Sequence, residues 1–215
     1  MVIFLYGKKY RLEFLSINEI IELEDIEELR VRKLLSSLRT KKLLLRPLII
    51  EESKNFVIDG HHRLKVLRLL GVKKIPVLLA RYGVNIEDTG RWVYIVGSNA
   101  KICLSNLLRI IEELEFLTKR GPDYLILDLV KDQIRVSVDR VDLYIALKYV
   151  DIPLVKIPQK GMLINTISII LPKLLPKDLY SIVSKGIKLP PRVTYHKTYL
   201  KHIIISYSIN KLLRY

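Results

Sequence analysis

The chain has one cysteine in 215 residues, so no internal disulfide can staple it and its stability rests on packing. That residue, Cys103, stands between Ile102 and Leu104, where a small buried hydrophobe is expected. No apolar run reaches the roughly 18–20 residues that a membrane span requires. The longest contender, Met162 to Leu175, is broken by Asn165, Pro172 and Lys173. The stretch from Met1 to Lys9 lacks the basic-then-apolar order and cleavage site of a signal peptide, so a cytoplasmic location is expected. Also missing are a Gly-rich Walker sequence, an internal repeat, a low-complexity linker, a clear helix-turn-helix and the aromatic-basic stripe of an RNA binder. Acidic residues are the remaining shortage: 22 Asp and Glu stand against 37 Lys and Arg, a net charge of +15. Such a surplus favours anionic partners, whether nucleic acid, an acidic membrane face or a small phosphorylated ligand. The cations are spread along the chain, apart from a denser stretch between Arg30 and Arg46, so charge alone does not choose among them.

What is present starts with apolar residues, half of the total. A chain of this length and content buries a sizeable core, as one domain or two small ones. Its most informative stretch is Phe56-Val57-Ile58-Asp59-Gly60-His61-His62-Arg63, followed by apolar residues at helical spacing up to Gly71. This reads as strand, tight turn and helix, with Gly71 as the stop. Asp59 then ends the strand, and Gly60, His61 and His62 open the helix. Unpaired N–H groups and the helix dipole make such an N-terminus a natural anion site. Arg63 adds a planar fork suited to phosphate oxygens, Gly60 permits close approach, and Asp59 can hold a divalent metal or accept a proton.

The run Asp59-Gly60-His61-His62-Arg63 resembles the signature of the ParB/sulfiredoxin superfamily, and in this His-His form it resembles the archaeal free L-serine kinases. Sulfiredoxins need a cysteine where His61 stands, so their chemistry is not expected. The resemblance covers residues 11–82 well and thins beyond them. Strands at Pro47–Ile50 and Phe56–Ile58, the helix after Gly60 and a strand at Lys74–Leu79 give the order of that superfamily's small α+β core. Upstream, Val31, Leu34, Leu35 and Leu38 keep the i, i+3, i+4, i+7 spacing of an amphipathic helix over Ile26 to Arg39. Glu22, Glu24, Asp25, Glu27 and Glu28 gather at its start, where helix capping is the plainer role. Counted back from Arg46-Pro47 without a gap, the resemblance sets the catalytic glutamate on Glu24 and a substrate-contacting hydroxyl on Ser37. The family's Pro-His-Glu triplet is replaced here by Glu22-Leu23-Glu24, which leaves Glu22 and Asp25 as alternatives.

Beyond residue 82, a loop runs from Gly83 to Gly90 and an extended segment from Trp92 to Val96. Trp92, the only tryptophan, belongs in the core on a plain reading and on the substrate side by resemblance. Ser105-Asn106 is expected to cap a helix striped by Leu107, Ile110, Ile111, Leu114 and Leu117. A hairpin follows over Tyr124–Val130 and Gln133–Val138, then a helix over Asp139–Tyr149, a short strand over Ile152–Ile157 and a helix from Pro176 to Gly186. The segment Leu189-Pro190-Pro191-Arg192-Val193-Thr194-Tyr195-His196 resembles the family's proline-led, serine-binding Ser/Thr-x-x-Thr-x-His segment. Thr194 and His196 are kept. Val193 and Tyr195 replace the family's usual Thr and Arg, and Arg192 is the candidate substitute.

The resemblance implies an α+β protein with a ParB/sulfiredoxin-like nucleotide-binding domain over residues 1–82. A smaller α/β substrate domain would cover residues 83–215, with the active-site cleft between them. It implies transfer of a phosphoryl group from ATP or ADP to the hydroxyl of L-serine, giving O-phospho-L-serine for cysteine biosynthesis. Glu24 would be the base, Asp59 a catalytic group and Mg²⁺ ligand, and Gly60, His61, His62 and Arg63 the phosphate cradle. Ser37, Trp92, Thr194 and His196 would hold serine. A monomer or homodimer is expected, without specific nucleic-acid binding. The alternative is a non-catalytic ParB-like protein that binds nucleotide or nucleic acid.

Overall fold

The computed structural model describes residues 2–5, 8–96, 103–158 and 166–214. Residues 162–165 of the broken apolar run, and Met1, Tyr6 and Gly7 of the first extended segment, lie outside them. The protein is α+β and forms two compact units, residues 1–88, 183–191 and 196–215 in the first and 89–182 with 192–195 in the second. No helix among the described residues is long and apolar enough to cross a membrane.

The first unit is built on a five-stranded sheet. Its strands are β1 (Val2–Leu5), β2 (Lys8–Ser16), β4 (Leu48–Glu51), β5 (Val57–Asp59) and β6 (Lys74–Ala80), in the order β1-β2-β6-β4-β5. Strand β4 runs parallel to β6 and antiparallel to β5, so the helix between β5 and β6 serves as the crossover. Every residue of β4 is buried, as its unbroken apolar run requires. Its last residue, Glu51, is buried because its carboxylate accepts from the Ser53 and Lys54 N–H groups at 3.0 and 2.8 Å and closes the polar turn. Helices α1 (Glu28–Lys41) and α2 (His61–Leu69) pack together. Val31 and Leu38 of α1 and Leu64, Val66 and Leu67 of α2 join one core with β4, β5 and β6. Strand β3 (Leu43–Leu44) pairs with β14 (Tyr207–Ser208), and α6 (Ile209–Leu212) adds Ile209 and Leu212 to the same core.

Helix α1 begins two residues later than its apolar spacing suggests. The preceding backbone is already hydrogen-bonded elsewhere: Ile21 N–H to Asn55 O at 2.9 Å, and Asp25 N–H to Leu189 O at 2.8 Å. Residues 21–25 therefore run extended, and of the acidic cluster only Glu28 lies in the first helical turn.

The chain leaves the first unit along β7 (Asp88–Gly90). The second unit holds an antiparallel sheet of β8 (Trp92–Ile95), β9 (Asp123–Asp128), β10 (Gln133–Val138), β11 (Val155–Pro158) and β12 (Ser168–Ile170), ordered β10-β9-β12-β8-β11. The hairpin forms as expected, in register from Asp123↔Val138 to Asp128↔Gln133. Strand β11 starts after Pro153, which has no N–H to give a ladder, and so lies later than the expected Ile152 start. Strand β12, read in the sequence only as part of an apolar run, inserts between β8 and β9. Helix α3 (Leu104–Phe116) packs Leu107, Ile110, Ile111 and Leu114 toward β9 and β10. Its N-cap is Cys103, so this thiol is exposed rather than buried, with Sγ 2.9 Å from Ser105 Oγ. Asp139 caps α4 (Arg140–Ala146) by accepting from Val141 and Asp142 N–H. Helix α5 (Pro176–Ser184) returns the chain toward the first unit, which it rejoins finally in β13 (Tyr195–Lys197) and a 3-10 turn at Tyr199–His202.

Candidate active site

Strand β5 buries Val57 and Ile58 and delivers Asp59 to the sheet's edge, opposite Ile49 of β4. The chain then reverses into α2 through Gly60, whose φ of +111° is a conformation that side chains resist. A Cβ at Gly60 would also come within 3.0 Å of the Arg63 guanidinium. No side chain caps α2 and no acid lies in its first turn, so the N–H groups of residues 61–63 and the positive dipole end are left to an external anion.

Arg63 sits differently from the fork expected of it. Its Nη1 donates to Arg46 O at 3.0 Å and Pro47 O at 2.6 Å, and its Nη2 pairs with the Asp59 carboxylate. It thus ties the start of α2 to the strand end and to the loop before β4. His62 is a second tie, since its Nε2 accepts from the Glu27 N–H at 3.1 Å and so fixes the start of α1. Burial pushes the His62 pKa down, against the opposing pull of Glu27.

His61 faces inward, buried, with Nδ1 3.7 Å from the Glu24 carboxylate. Burial lowers its pKa more than the nearby charges of Glu24 and Asp59 raise it, so the ring is neutral at pH 7. Glu24 is 5% exposed and lies where the chain runs beside Leu189. Glu22 is engaged elsewhere, paired with Arg68 and Lys188, and Arg68 further donates to Ile17 O and Ile20 O. Of the three acids left open by the sequence, Glu24 is the one set against His61.

His196 enters the same cluster from β13. It is 2% exposed, its Nδ1 is hydrogen-bonded to the Tyr82 hydroxyl at 3.2 Å, and its pKa is pushed down to about 3. Burial is the main cause, with the positive charge of Lys201 adding to it. The Nε2 atoms of both His61 and His196 are buried and have no hydrogen-bond partner. Two orphaned imidazole nitrogens in one neighbourhood are what a polar ligand would satisfy. Lys201 completes the cluster: its ammonium donates to His196 O at 2.8 Å and feels the charges of both Asp59 and Glu24. Sequence reading missed it, because a lysine five residues after a histidine carries no motif.

Ser37 lines a pocket of about 360 Å³ in the first unit, with Leu34, Leu38, Lys41, Arg46 and Arg63 on its walls. Apolar walls with three cations suit a heterocycle carrying phosphate. Trp92 and Thr194 belong to the second unit and are joined there, the indole Nε1 donating to Thr194 O at 3.0 Å. Trp92 also meets Tyr195 edge-on at 5.4 Å, and Tyr195 lies so close to Gly90 that a Cβ there would be 2.0 Å from its ring. The tryptophan thus holds the 192–195 loop in shape. Among the described residues, no group of three or more His, Cys, Asp or Glu side chains could cage a metal. Asp59 alone fits the other mode, in which Mg²⁺ keeps waters and binds one carboxylate plus nucleotide phosphates.

Comparison with known proteins gives the arrangement its context. No protein-family model matches the chain. A solved structure of a free serine kinase in complex with AMP superposes with a TM-score of 0.66 at 13% identity, covering 94% of this chain and 93% of that one. The chain shares the fold of the free serine kinases. In sequence it is 25% identical over 72 residues to an ATP-dependent L-serine kinase of Desulfurococcus mucosus, 32% of this chain and 28% of that protein. It is also 28% identical over 93 residues to a ParB-like protein of Sulfolobus acidocaldarius, 43% of this chain and 46% of that protein. The chain thus spans less than half the length of each of these two relatives. The chain is thus similar to an L-serine kinase over part of its sequence and to a free serine kinase in fold.

Proposed function

We propose that this chain transfers the terminal phosphoryl group of an adenine nucleotide, ATP or ADP, to the hydroxyl of free L-serine. The product is O-phospho-L-serine, which would feed cysteine biosynthesis in the cytoplasm, with the enzyme acting as a monomer or homodimer. The observation that carries the reading is the gathering of Glu24, Asp59, His61 and His196 beside the uncapped N-terminus of α2. The free serine kinase fold and the L-serine kinase names of its relatives support it.

In this reading the N–H groups of residues 61–63 donate to phosphate oxygens, with Gly60 allowing the approach and the helix dipole holding the charge. Arg63 keeps the turn rigid and Asp59 in place. Glu24 accepts the serine hydroxyl proton as Oγ attacks phosphorus. The Oγ–P bond forms, the bond from phosphorus to the bridging oxygen breaks, and ADP or AMP departs. Asp59 would hold Mg²⁺ together with the nucleotide, and the ion would supply neutralisation of phosphate charge. Ser37, Trp92, Thr194 and His196 are the candidate serine-binding residues of this reading. The test is the purified protein with L-serine, Mg²⁺ and either ATP or ADP, followed by phosphorus NMR or mass detection of O-phosphoserine. Product with at least one nucleotide is expected; none with either overturns the reading.

A second reading, a non-catalytic ParB-like nucleotide or nucleic-acid binder, is favoured by the net charge of +15 and by the ParB-like relative. On the kinase reading, DNA binding is weak and sequence-independent. Tight binding to one DNA sequence at physiological salt would instead support the binder.

A further inference from the structure

Phosphoryl transfer needs a cation against the charge spread over the moving group. The chain has no Walker lysine to supply it. Arg63, the cation nearest the turn in sequence, spends its Nη1 on Arg46 O and Pro47 O and its Nη2 on Asp59. The rings of His61 and His62 are held neutral by burial and bring no positive charge at pH 7. Lys201 is differently placed. Its ammonium is anchored on His196 O at 2.8 Å, and it is half-buried in the electrostatic reach of both Asp59 and Glu24. Its backbone is equally fixed: Arg46, on the wall of the Ser37 pocket, donates to Lys201 O at 3.2 Å. The 3-10 turn that carries it is capped by Thr198, whose hydroxyl accepts from Leu200 N–H at 3.2 Å and donates to Asn85 O at 2.5 Å. The ammonium is thereby held by a hydrogen-bonded turn, on His196 O and within the electrostatic reach of Asp59 and Glu24.

We propose that Lys201 is a further catalytic residue, the cation that binds the terminal phosphoryl group of the nucleotide and stabilises it during transfer. The proposal rests on the kinase reading for its catalytic half only; phosphate binding by Lys201 stands apart from turnover. The serine proton goes to Glu24, the Oγ–P bond forms as the bond to the bridging oxygen breaks with its electron pair leaving on the nucleotide, and the ammonium stays against the oxygens of the transferring group.

The experiment compares wild type with Lys201→Met and Lys201→Arg, by titration with ADP and with adenosine and by kcat and KM for serine. Wild type should bind ADP at least 10-fold more tightly than adenosine. Lys201→Met should abolish most of that difference while leaving adenosine affinity and the KM for serine within about 3-fold. Its kcat should fall roughly 100- to 1,000-fold, the size seen when one group aimed at developing charge is removed. Lys201→Arg, which keeps the charge, should recover ADP preference and part of kcat. Wild type that prefers ADP but makes no phosphoserine defeats the kinase reading, and the loss of preference in Lys201→Met still decides the binding half. Equal affinity of wild type for ADP and adenosine, or an undiminished preference in Lys201→Met, overturns the proposal. So does equal loss of adenosine binding and kcat in both variants, because that pattern belongs to the Lys201–His196 contact as a purely structural prop.

Discussion

Acid should weaken the first unit through His196, by an amount that can be worked out. In the folded protein this imidazole is pushed down to about 3, from an ordinary value of 6.5, because it is buried and lies beside the Lys201 ammonium. The depressed value means that the unfolded chain takes up a proton below pH 6.5 that the folded chain refuses until about pH 3. Stability is therefore fully present above pH 6.5 and is lost as pH falls through that window, at about 1.4 kcal/mol per pH unit for one group. Between pH 7 and pH 4.5 the integrated loss is roughly 2.5 kcal/mol. For a protein of this size that is roughly 5–10 °C in Tm. His61 is shifted in the same direction, so the wild-type curve alone does not isolate His196. The informative quantity is the difference between wild type and His196→Gln, followed by calorimetry from pH 7 to pH 4.5. The variant should start lower, having lost the bond to Tyr82, and should then fall less steeply by about that amount. Parallel curves would mean that His196 is protonated in the fold at moderate pH, and the account of a dry, neutral imidazole beside Lys201 would be wrong.

Three substitutions probe the rest of the cluster. Glu24→Gln should lower kcat about 100- to 10,000-fold with serine and nucleotide affinities unchanged; turnover within a few-fold of wild type would remove Glu24 as the base. Asp59→Asn should reduce Mg²⁺-dependent turnover more than 100-fold on that assignment. It should cost only about 1 kcal/mol of stability, because the Asp59 side chain is 40% exposed and its pairing with Arg63 is partly screened; near-native turnover would refute the assignment. Gly60→Ala forces a Cβ against Arg63 at a φ of +111°, so it should lower Tm and weaken ADP binding together. An unchanged ADP affinity, measured by calorimetric titration, would show that the turn is not the phosphate site.

The elements that sequence reading located well are those whose evidence is local. The strand-turn-helix through Gly60, the crossover to β6, the hairpin and the amphipathic face of α3 all follow from periodicity, turn residues and stops within a few positions. The discrepancies have long-range causes. The acids from Glu22 to Glu28 look gathered at a helix start, yet the Ile21 and Asp25 N–H groups are taken by Asn55 and Leu189 and the helix begins only at Glu28. Ser168–Ile170 looks like one apolar run among several, and only pairing with both β8 and β9 makes it a strand. At the site, residue types were legible and their roles were less so. Arg63 and His62 carry phosphate-binding chemistry in a motif, but their hydrogen bonds here go to backbone carbonyls and to an N–H group. Lys201 has no local signature at all, since its environment is assembled from residues 24, 59 and 196.

The chain's double return to its first unit bears on biosynthesis. When residue 182 has just been made, β4, β5 and α2 can already form, but Leu189, which receives the N–H of Asp25, does not yet exist. Neither do His196 and Lys201. A ribosome elongating at roughly 5–20 residues per second thus holds back part of the nucleotide-side cluster for seconds after its other half has emerged. During that interval the Glu24 segment lacks the strand partner that keeps it extended. A nascent chain arrested near residue 182 should leave the Asp25 amide open to exchange, and release of the full chain should protect it in one late step.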